Sequence, residues 1–61
     1  MEKQNILIVD DDKDIVNLVS DILEDEGYKV TKAFNGNTAI KLINETQFDL
    51  LILDIINYGW S

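Results

Sequence analysis

The chain has 61 residues, 46% of them hydrophobic, which is enough for one small domain with a small core. It contains neither cysteine nor histidine, so disulfide bonds, thiol nucleophiles and thiolate or imidazole metal sites are excluded. Twelve acidic residues against five lysines give a net charge of -7, which argues against direct binding of nucleic acid or an anionic membrane. The first apolar run is too short for a signal peptide or a membrane span, so we expect a soluble cytoplasmic protein.

The first predicted strand is the aliphatic run at residues 6–9, which has the unbroken apolar pattern of a strand buried on both faces. Asp10, Asp11 and Asp12 follow it directly. A helical pattern then begins, and Asp12 and Asp14 lie where its positive end favours anions. We interpret its apolar positions as one core-facing surface, formed by Ile15, Val16, Leu18, Val19, Ile22 and Leu23.

A half-exposed edge strand is predicted over residues 28–33, because large and polar side chains alternate there. Gly27 before it suits the left-handed position that follows a helix end. Asn35 is the predicted N-cap of a second helix over residues 37–45. The apolar face of that helix consists of Ala39, Ile40, Leu42 and Ile43.

The third predicted strand is an aliphatic run, residues 50–53, that ends in a single carboxylate, Asp54. Such a run is typical of a strand buried on both faces, which delivers its last residue to the ligand-binding edge of the sheet. The β-α-β-α-β pattern with short connections predicts a parallel sheet of order 2-1-3 with one helix on each face. Asp10 and Asp11 are then expected to meet Asp54.

Three clustered carboxylates repel one another, so the cluster needs a cation or a shared proton. Mg²⁺ is the natural partner, because it takes one or two carboxylates and accepts a phosphate oxygen. It would also assist a carboxylate nucleophile by neutralising an incoming phosphoryl group.

Four features carry a family resemblance, namely residues 6–12, the helix predicted after them, residues 34–36 and residues 49–55. Together they resemble the receiver domain of two-component response regulators, a flavodoxin-like signalling module that is not an enzyme. The resemblance covers residues 5–55. It implies that Asp54 accepts a phosphoryl group from a sensor histidine kinase or phosphotransfer protein in a Mg²⁺-dependent step. By position, Asp11 is a direct metal ligand, Asp10 acts mostly through a metal-bound water, and the backbone carbonyl of Ile56 is a further ligand.

Residues 56–61 depart from the family pattern, and the later strands, switch hydroxyl and phosphoryl-contacting lysine have no counterpart. We therefore interpret residues 1–61 as a truncated receiver domain with an altered tail, in which phosphorylation is impaired. Tyr58-Gly59-Trp60 can be encoded by codons that read Met-Asp-Gly one base later, the residues that the family shows after its phosphoacceptor. A shifted reading frame is our hypothesis for the tail.

Two other functions are open. The segment Asp10-Asp11-Asp12-Lys13 also resembles the start of haloacid-dehalogenase-type phosphohydrolases, with Asp10 as nucleophile and Asp12 as acid/base. The chain could instead be an inactive interaction fragment. With order 2-1-3 the third strand is an unprotected apolar edge, which predicts self-association. A further hypothesis is that Asp10 to Asp12 only cap a helix and have no chemical role.

Overall fold

The computed structural model describes residues 3–53. The elements in chain order are β1 (Asn5–Val9), α1 (Lys13–Asp25), β2 (Lys29–Ala33), α2 (Gly36–Glu45) and β3 (Leu50–Leu53). The predicted β-α-β-α-β order is confirmed. In the described range, neither helix has the length and apolar character needed to cross a bilayer.

The three strands form one parallel sheet in the order β2-β1-β3. Asn5 pairs with Lys29 and Val9 with Ala33 on one side of β1. On its other side, Ile6 pairs with Leu50 and Val9 with Leu53. The predicted order and direction of the strands are confirmed, and they match a flavodoxin-like receiver fold.

The core lies on both faces of β1, whose four aliphatic residues are buried. Because side chains alternate along a strand, they divide between two clusters. One face joins Ile6 and Ile8 to Val16 of α1. The other joins Leu7 and Val9 to Ala39 of α2 and to Ala33. The helices therefore cover opposite faces of the sheet, as predicted.

The ends of both helices follow from single residues. Gly27 has a φ of 98°, so the left-handed turn predicted after α1 is confirmed. The Asn35 side chain accepts a hydrogen bond of 2.8 Å from the Thr38 N–H, which confirms the predicted cap of α2. Gly36 begins that helix, one residue earlier than predicted.

The prediction that β3 is buried on both faces is wrong. Leu50, Leu51 and Leu53 are 52%, 43% and 46% exposed, and only Ile52 packs against a core cluster. The strand order explains the difference, since β3 lies at an edge and no described element covers its outer side. Its aliphatic composition is typical of a strand that is covered on both faces.

The prediction that the whole apolar face of α1 enters the core is also only half right. Val16 is buried, and Val19 and Leu23 pack against the same cluster. The outer half of the apolar face is exposed instead, namely Ile15, Leu18 and Ile22. One sheet face contacts only part of a helix, and no second described helix lies beside α1.

Ser20 is fully buried in α1, and its hydroxyl has no hydrogen-bond partner. A buried hydroxyl without a partner costs about 1–3 kcal/mol. We therefore expect Ser20→Ala to raise the free energy of unfolding by about 1 kcal/mol in urea denaturation. Asn44→Ala, at an exposed position of α2, controls for helix propensity and should have a smaller effect. A loss of stability in Ser20→Ala would show that the hydroxyl has a partner.

Candidate functional site

The three strands end together at one edge of the sheet, because Val9 pairs with both Ala33 and Leu53. This carboxyl edge is where open α/β folds bind ligands. Asp10 follows Val9 in the sequence, and Asp54 follows Leu53. Asp54 and Ile56, two of the predicted site residues, lie outside the described residues.

Asp10 is the buried acid of this edge, with 6% of its surface exposed. Its N–H donates to the Ala33 carbonyl at 3.2 Å, which continues the sheet by one residue. Its Oδ1 accepts a hydrogen bond of 2.9 Å from the Asp12 N–H. A buried carboxylate needs such partners, and this bond fixes its orientation. Within residues 3–53, Oδ2 accepts no hydrogen bond.

Asp11 has the opposite environment. It occupies a bend between β1 and α1, and its side chain is exposed. The chain therefore offers two adjacent carboxylates at the sheet edge, one held in place and one open to solvent. An open carboxylate can reach a ligand without losing an existing contact.

Asp12 is the N-cap of α1. Its Oδ1 accepts hydrogen bonds from the Asp14 N–H at 3.0 Å and from the Ile15 N–H at 3.4 Å. These are amide groups at the start of a helix that lack helical partners. The interpretation of the aspartates as helix caps is therefore confirmed for Asp12.

Lys13 and Phe34 make a contact that sequence reasoning missed. The Lys13 Nζ lies 5.9 Å from the centroid of the Phe34 ring, within the range of a cation–π interaction. This contact joins the first residue of α1 to the loop that follows β2. The two residues are far apart in the sequence, and only the topology brings them together.

Asp49 lies at the other end of the sheet. Its Oδ2 accepts a hydrogen bond of 2.7 Å from the Asn5 N–H, and its own N–H donates to the Asn5 carbonyl at 2.8 Å. This pair of bonds aligns the start of β3 with the start of β1. Asp49 is thus a structural residue, and it is remote from the carboxyl edge.

The predicted metal ligands are Asp10, Asp11, Asp54 and the Ile56 carbonyl. In the part of the chain that the structure describes, no three acidic side chains form a group that could hold a metal ion. Asp10 and Asp11 by themselves supply two carboxylates, and Mg²⁺ prefers oxygen ligands of this kind. The convergence with Asp54 stays a prediction.

Comparison with known proteins gives one family. A family model described as the response regulator receiver domain matches residues 6–56. The chain is 40% identical to the transcriptional regulatory protein YvrH of Bacillus subtilis over 62 aligned positions, with 100% of this chain and 26% of that protein covered. It is 46% identical to the response regulator SaeR of Staphylococcus epidermidis over 52 positions, with coverage of 85% and 22%.

A third relative, the regulatory protein VanRc of Enterococcus gallinarum, is 38% identical over 87% of this chain and 23% of its own length. The chain thus spans about a quarter of the length of the curated relatives it matches. No solved structure gives a significant match.

The capping role of Asp12 can be separated from a chemical role. We expect Asp12→Ala to lower the free energy of unfolding by about 1 kcal/mol, because α1 loses its cap. Asp12→Ser keeps an oxygen acceptor and should retain most of the stability. Asp14→Ala, which removes an acid of the same turn but not the cap, is the matched control. Equal losses in Asp12→Ser and Asp12→Ala would contradict the capping role.

Proposed function

Because the chain belongs to the response regulator receiver domain family, we propose that it accepts a phosphoryl group on Asp54 in a Mg²⁺-dependent step. Its relatives are response regulators, which are signalling proteins rather than enzymes. The proposed role is therefore that of a substrate for phosphoryl transfer within a two-component system.

The observation that carries the proposal is the register at the carboxyl edge. Val9 and Leu53 are paired residues of neighbouring parallel strands. Neighbouring strands lie about 4.8 Å apart. The residues that directly precede Asp10 and Asp54 are therefore neighbours in the sheet. The family match extends through both segments.

We assign the metal to Asp10, Asp11, Asp54 and the Ile56 backbone carbonyl. The environments of the first two suit different tasks. Asp10 is buried and oriented by the Asp12 N–H, so it would hold the position of the ion, in large part through a water molecule. Asp11 is exposed and would contact the ion directly. When bound, Mg²⁺ neutralises charge on the carboxylates and on the phosphoryl oxygens.

The proposed reaction exchanges one bond at phosphorus for another. An oxygen of the Asp54 carboxylate forms the new bond, and the bond from phosphorus to the histidine nitrogen of the donor breaks. The histidine nitrogen keeps the electron pair of the broken bond, and the ring takes up one proton from solvent and leaves as neutral imidazole. The task of this chain is to position Asp54 and to limit the charge repulsion at the site.

The partner that we propose is a sensor histidine kinase or a phosphotransfer protein, which supplies the phosphorylated histidine. This assignment places the chain in the cytoplasm. Two of its relatives are named as regulatory proteins, one of them transcriptional. The net charge of -7 gives no support to nucleic-acid binding by this part of the chain.

We further propose that the chain associates with itself through β3. The strand contains no charged residue between Leu50 and Leu53, and three of its side chains are about half exposed. Natural edge strands usually carry charges or other features that prevent pairing. The edge of β3 carries neither a charge nor a proline along its paired length.

Beryllofluoride, a phosphoryl mimic, tests the phosphoacceptor assignment. The chain has one tryptophan, Trp60, six positions after Asp54, so its fluorescence reports on this region. With millimolar Mg²⁺, we expect beryllofluoride to change the fluorescence of the parent chain and of Asp21→Asn. Asp21 is an exposed acid of α1 and serves as the charge-matched control. Asp54→Asn should abolish the response, because it removes the acceptor oxygen.

The same variants distinguish the alternative function. If Asp54→Asn still responds and only Asp10→Asn fails, then Asp10 is the nucleophile, as in haloacid-dehalogenase-type phosphohydrolases. If the parent chain gives no response with Mg²⁺ and beryllofluoride although circular dichroism shows it folded, the proposed function is wrong.

A further inference from the structure

The hydrogen bonds of β1 determine which groups of β3 lie at the free edge. The Lys29 N–H donates to the Gln4 carbonyl at 2.9 Å, and the Asp10 N–H donates to the Ala33 carbonyl at 3.2 Å. The even-numbered positions of this segment therefore direct their backbone groups toward β2. Because backbone groups alternate sides along a strand, Leu7 and Val9 direct theirs toward β3.

The register then extends this alternation to β3. Leu7 is the partner of Leu51, and in a parallel pair such a residue bonds to the two neighbours of its partner, here Leu50 and Ile52. These two residues use their backbone groups on β1. The N–H and C=O groups of Leu51 and Leu53 consequently point away from the sheet. Within residues 3–53 no strand pairs with them.

The side chains of β3 also alternate, and they contribute to two different surfaces. Ile52 packs against the cluster of Ile6, Ile8 and Val16 on the face covered by α1. Leu51 lines an apolar cavity of about 220 Å³ on the opposite face, together with Ile43, Thr46, Gln47 and Phe48. The free edge is thus bordered by apolar side chains on both faces.

We propose that the edge of β3 binds the β3 strand of a second copy of this chain, antiparallel, with the twofold axis between the two Ile52 residues. This inference rests on the proposed self-association and specifies its geometry. The resulting six-stranded sheet has both copies of α1 on one face and both copies of α2 on the other.

The symmetry permits few registers. A twofold axis perpendicular to the sheet keeps equivalent faces together, so residues directly opposite each other must point to the same face. Each permitted register therefore places one residue opposite its own copy, and only the registers centred on Leu51 or on Ile52 pair more than one residue of β3. If the twofold axis lay between two residues, residues directly opposite each other would point to different faces of the sheet.

Hydrogen bonding favours the register centred on Ile52. In this register Leu51 of each copy lies opposite Leu53 of the other copy. Each of these two pairs exchanges two hydrogen bonds. All outward N–H and C=O groups of Leu51 and Leu53 are then satisfied. The register centred on Leu51 instead places Asp49 opposite Leu53 of the second copy, although the Asp49 N–H already donates to the Asn5 carbonyl.

The available area fits a reversible dimer. The half-exposed leucines of β3 supply on the order of 300 Å² of apolar surface per copy, the size of a patch that is often functional. With the strand edge and the rim of the cavity, we expect roughly 500 Å² per copy, which is in the range of weak, transient interfaces. Leu51, Ile52 and Leu53, the three residues that pair in this register, are uncharged, so no acid lies within the pairing.

Single cysteines read the register directly, since the chain has none of its own. In the proposed dimer the two Ile52 residues form a pair without mutual hydrogen bonds, with Cα atoms about 4.5 Å apart. That distance suits a disulfide. The two Leu51 residues are diagonal neighbours, about 7–8 Å apart, and the two Leu50 residues are farther apart. We expect mild oxidation to give a disulfide dimer from Ile52→Cys at least ten times faster than from Leu51→Cys or Leu50→Cys.

A second measurement leaves Ile52, which packs against a core cluster, unchanged. Sedimentation of Leu53→Lys should show a monomer, because the lysine places a charge at the paired edge. Ile40→Lys is the matched control, since Ile40 is 60% exposed on α2 and is not part of the edge. It should remain dimeric, with the same circular dichroism as the parent chain.

The outcomes separate the two proposals. A parent chain that is folded and monomeric at millimolar concentration would overturn both the self-association and this geometry. A dimer that crosslinks fastest through Leu51→Cys, or that survives Leu53→Lys, would overturn the Ile52-centred pairing and leave self-association standing. Fastest crosslinking at Ile52, together with loss of the dimer in Leu53→Lys alone, supports the geometry.

Discussion

The burial of β1 between two helices is the interaction on which the rest of this structure depends. All four aliphatic residues of the strand are buried, and they alternate between the cluster under α1 and the cluster under α2. Burying a large aliphatic side chain contributes about 1.5–3 kcal/mol. A chain of 61 residues has few other places where such burial is possible. The position of the central strand therefore determines where both neighbouring strands end.

The acids at the carboxyl edge have separate roles because β1 ends abruptly in them. Asp10 continues the sheet and is held by the Asp12 N–H, whereas Asp12 caps α1 and Asp11 is exposed between them. The three aspartates thus have three different environments, one in the sheet, one exposed to solvent and one at the helix cap. Asp10 and Asp11 are not used as helix caps, and a cation would stabilise their like charges. This arrangement supports the proposed magnesium site.

Sequence patterns predict those parts of the fold in which the cause is local. The φ of Gly27 and the cap by Asn35 depend on a few neighbouring atoms, and both were predictable. The exposure of β3 was not predictable, because an aliphatic run has the same sequence pattern whether or not another element packs on the strand. The same limit applies to Leu18 on the outer face of α1, which is apolar and yet exposed.

Of the candidate site, the sequence predicts which residues follow the strands but not what each one contacts. The cap by Asp12 was one of several options, and the Lys13 contact with Phe34 depends on a crossover that no local pattern encodes. Asp49 resembles Asp54 in sequence, since each acid adjoins the same apolar run. In the structure, the hydrogen bonds of Asp49 to Asn5 identify Asp49 as a structural residue. The contribution of Asp54 is still a prediction.

The central claim is that Asp54 forms the acyl phosphate, and chemical trapping tests it most directly. Borohydride reduces an aspartyl phosphate to homoserine and does not reduce a free carboxylate. After treatment of the chain with acetyl phosphate and Mg²⁺, peptide mapping by mass spectrometry should find homoserine at position 54, even at low yield, and none when Mg²⁺ is chelated. Homoserine at position 10, or at several acids without dependence on Mg²⁺, would contradict the account.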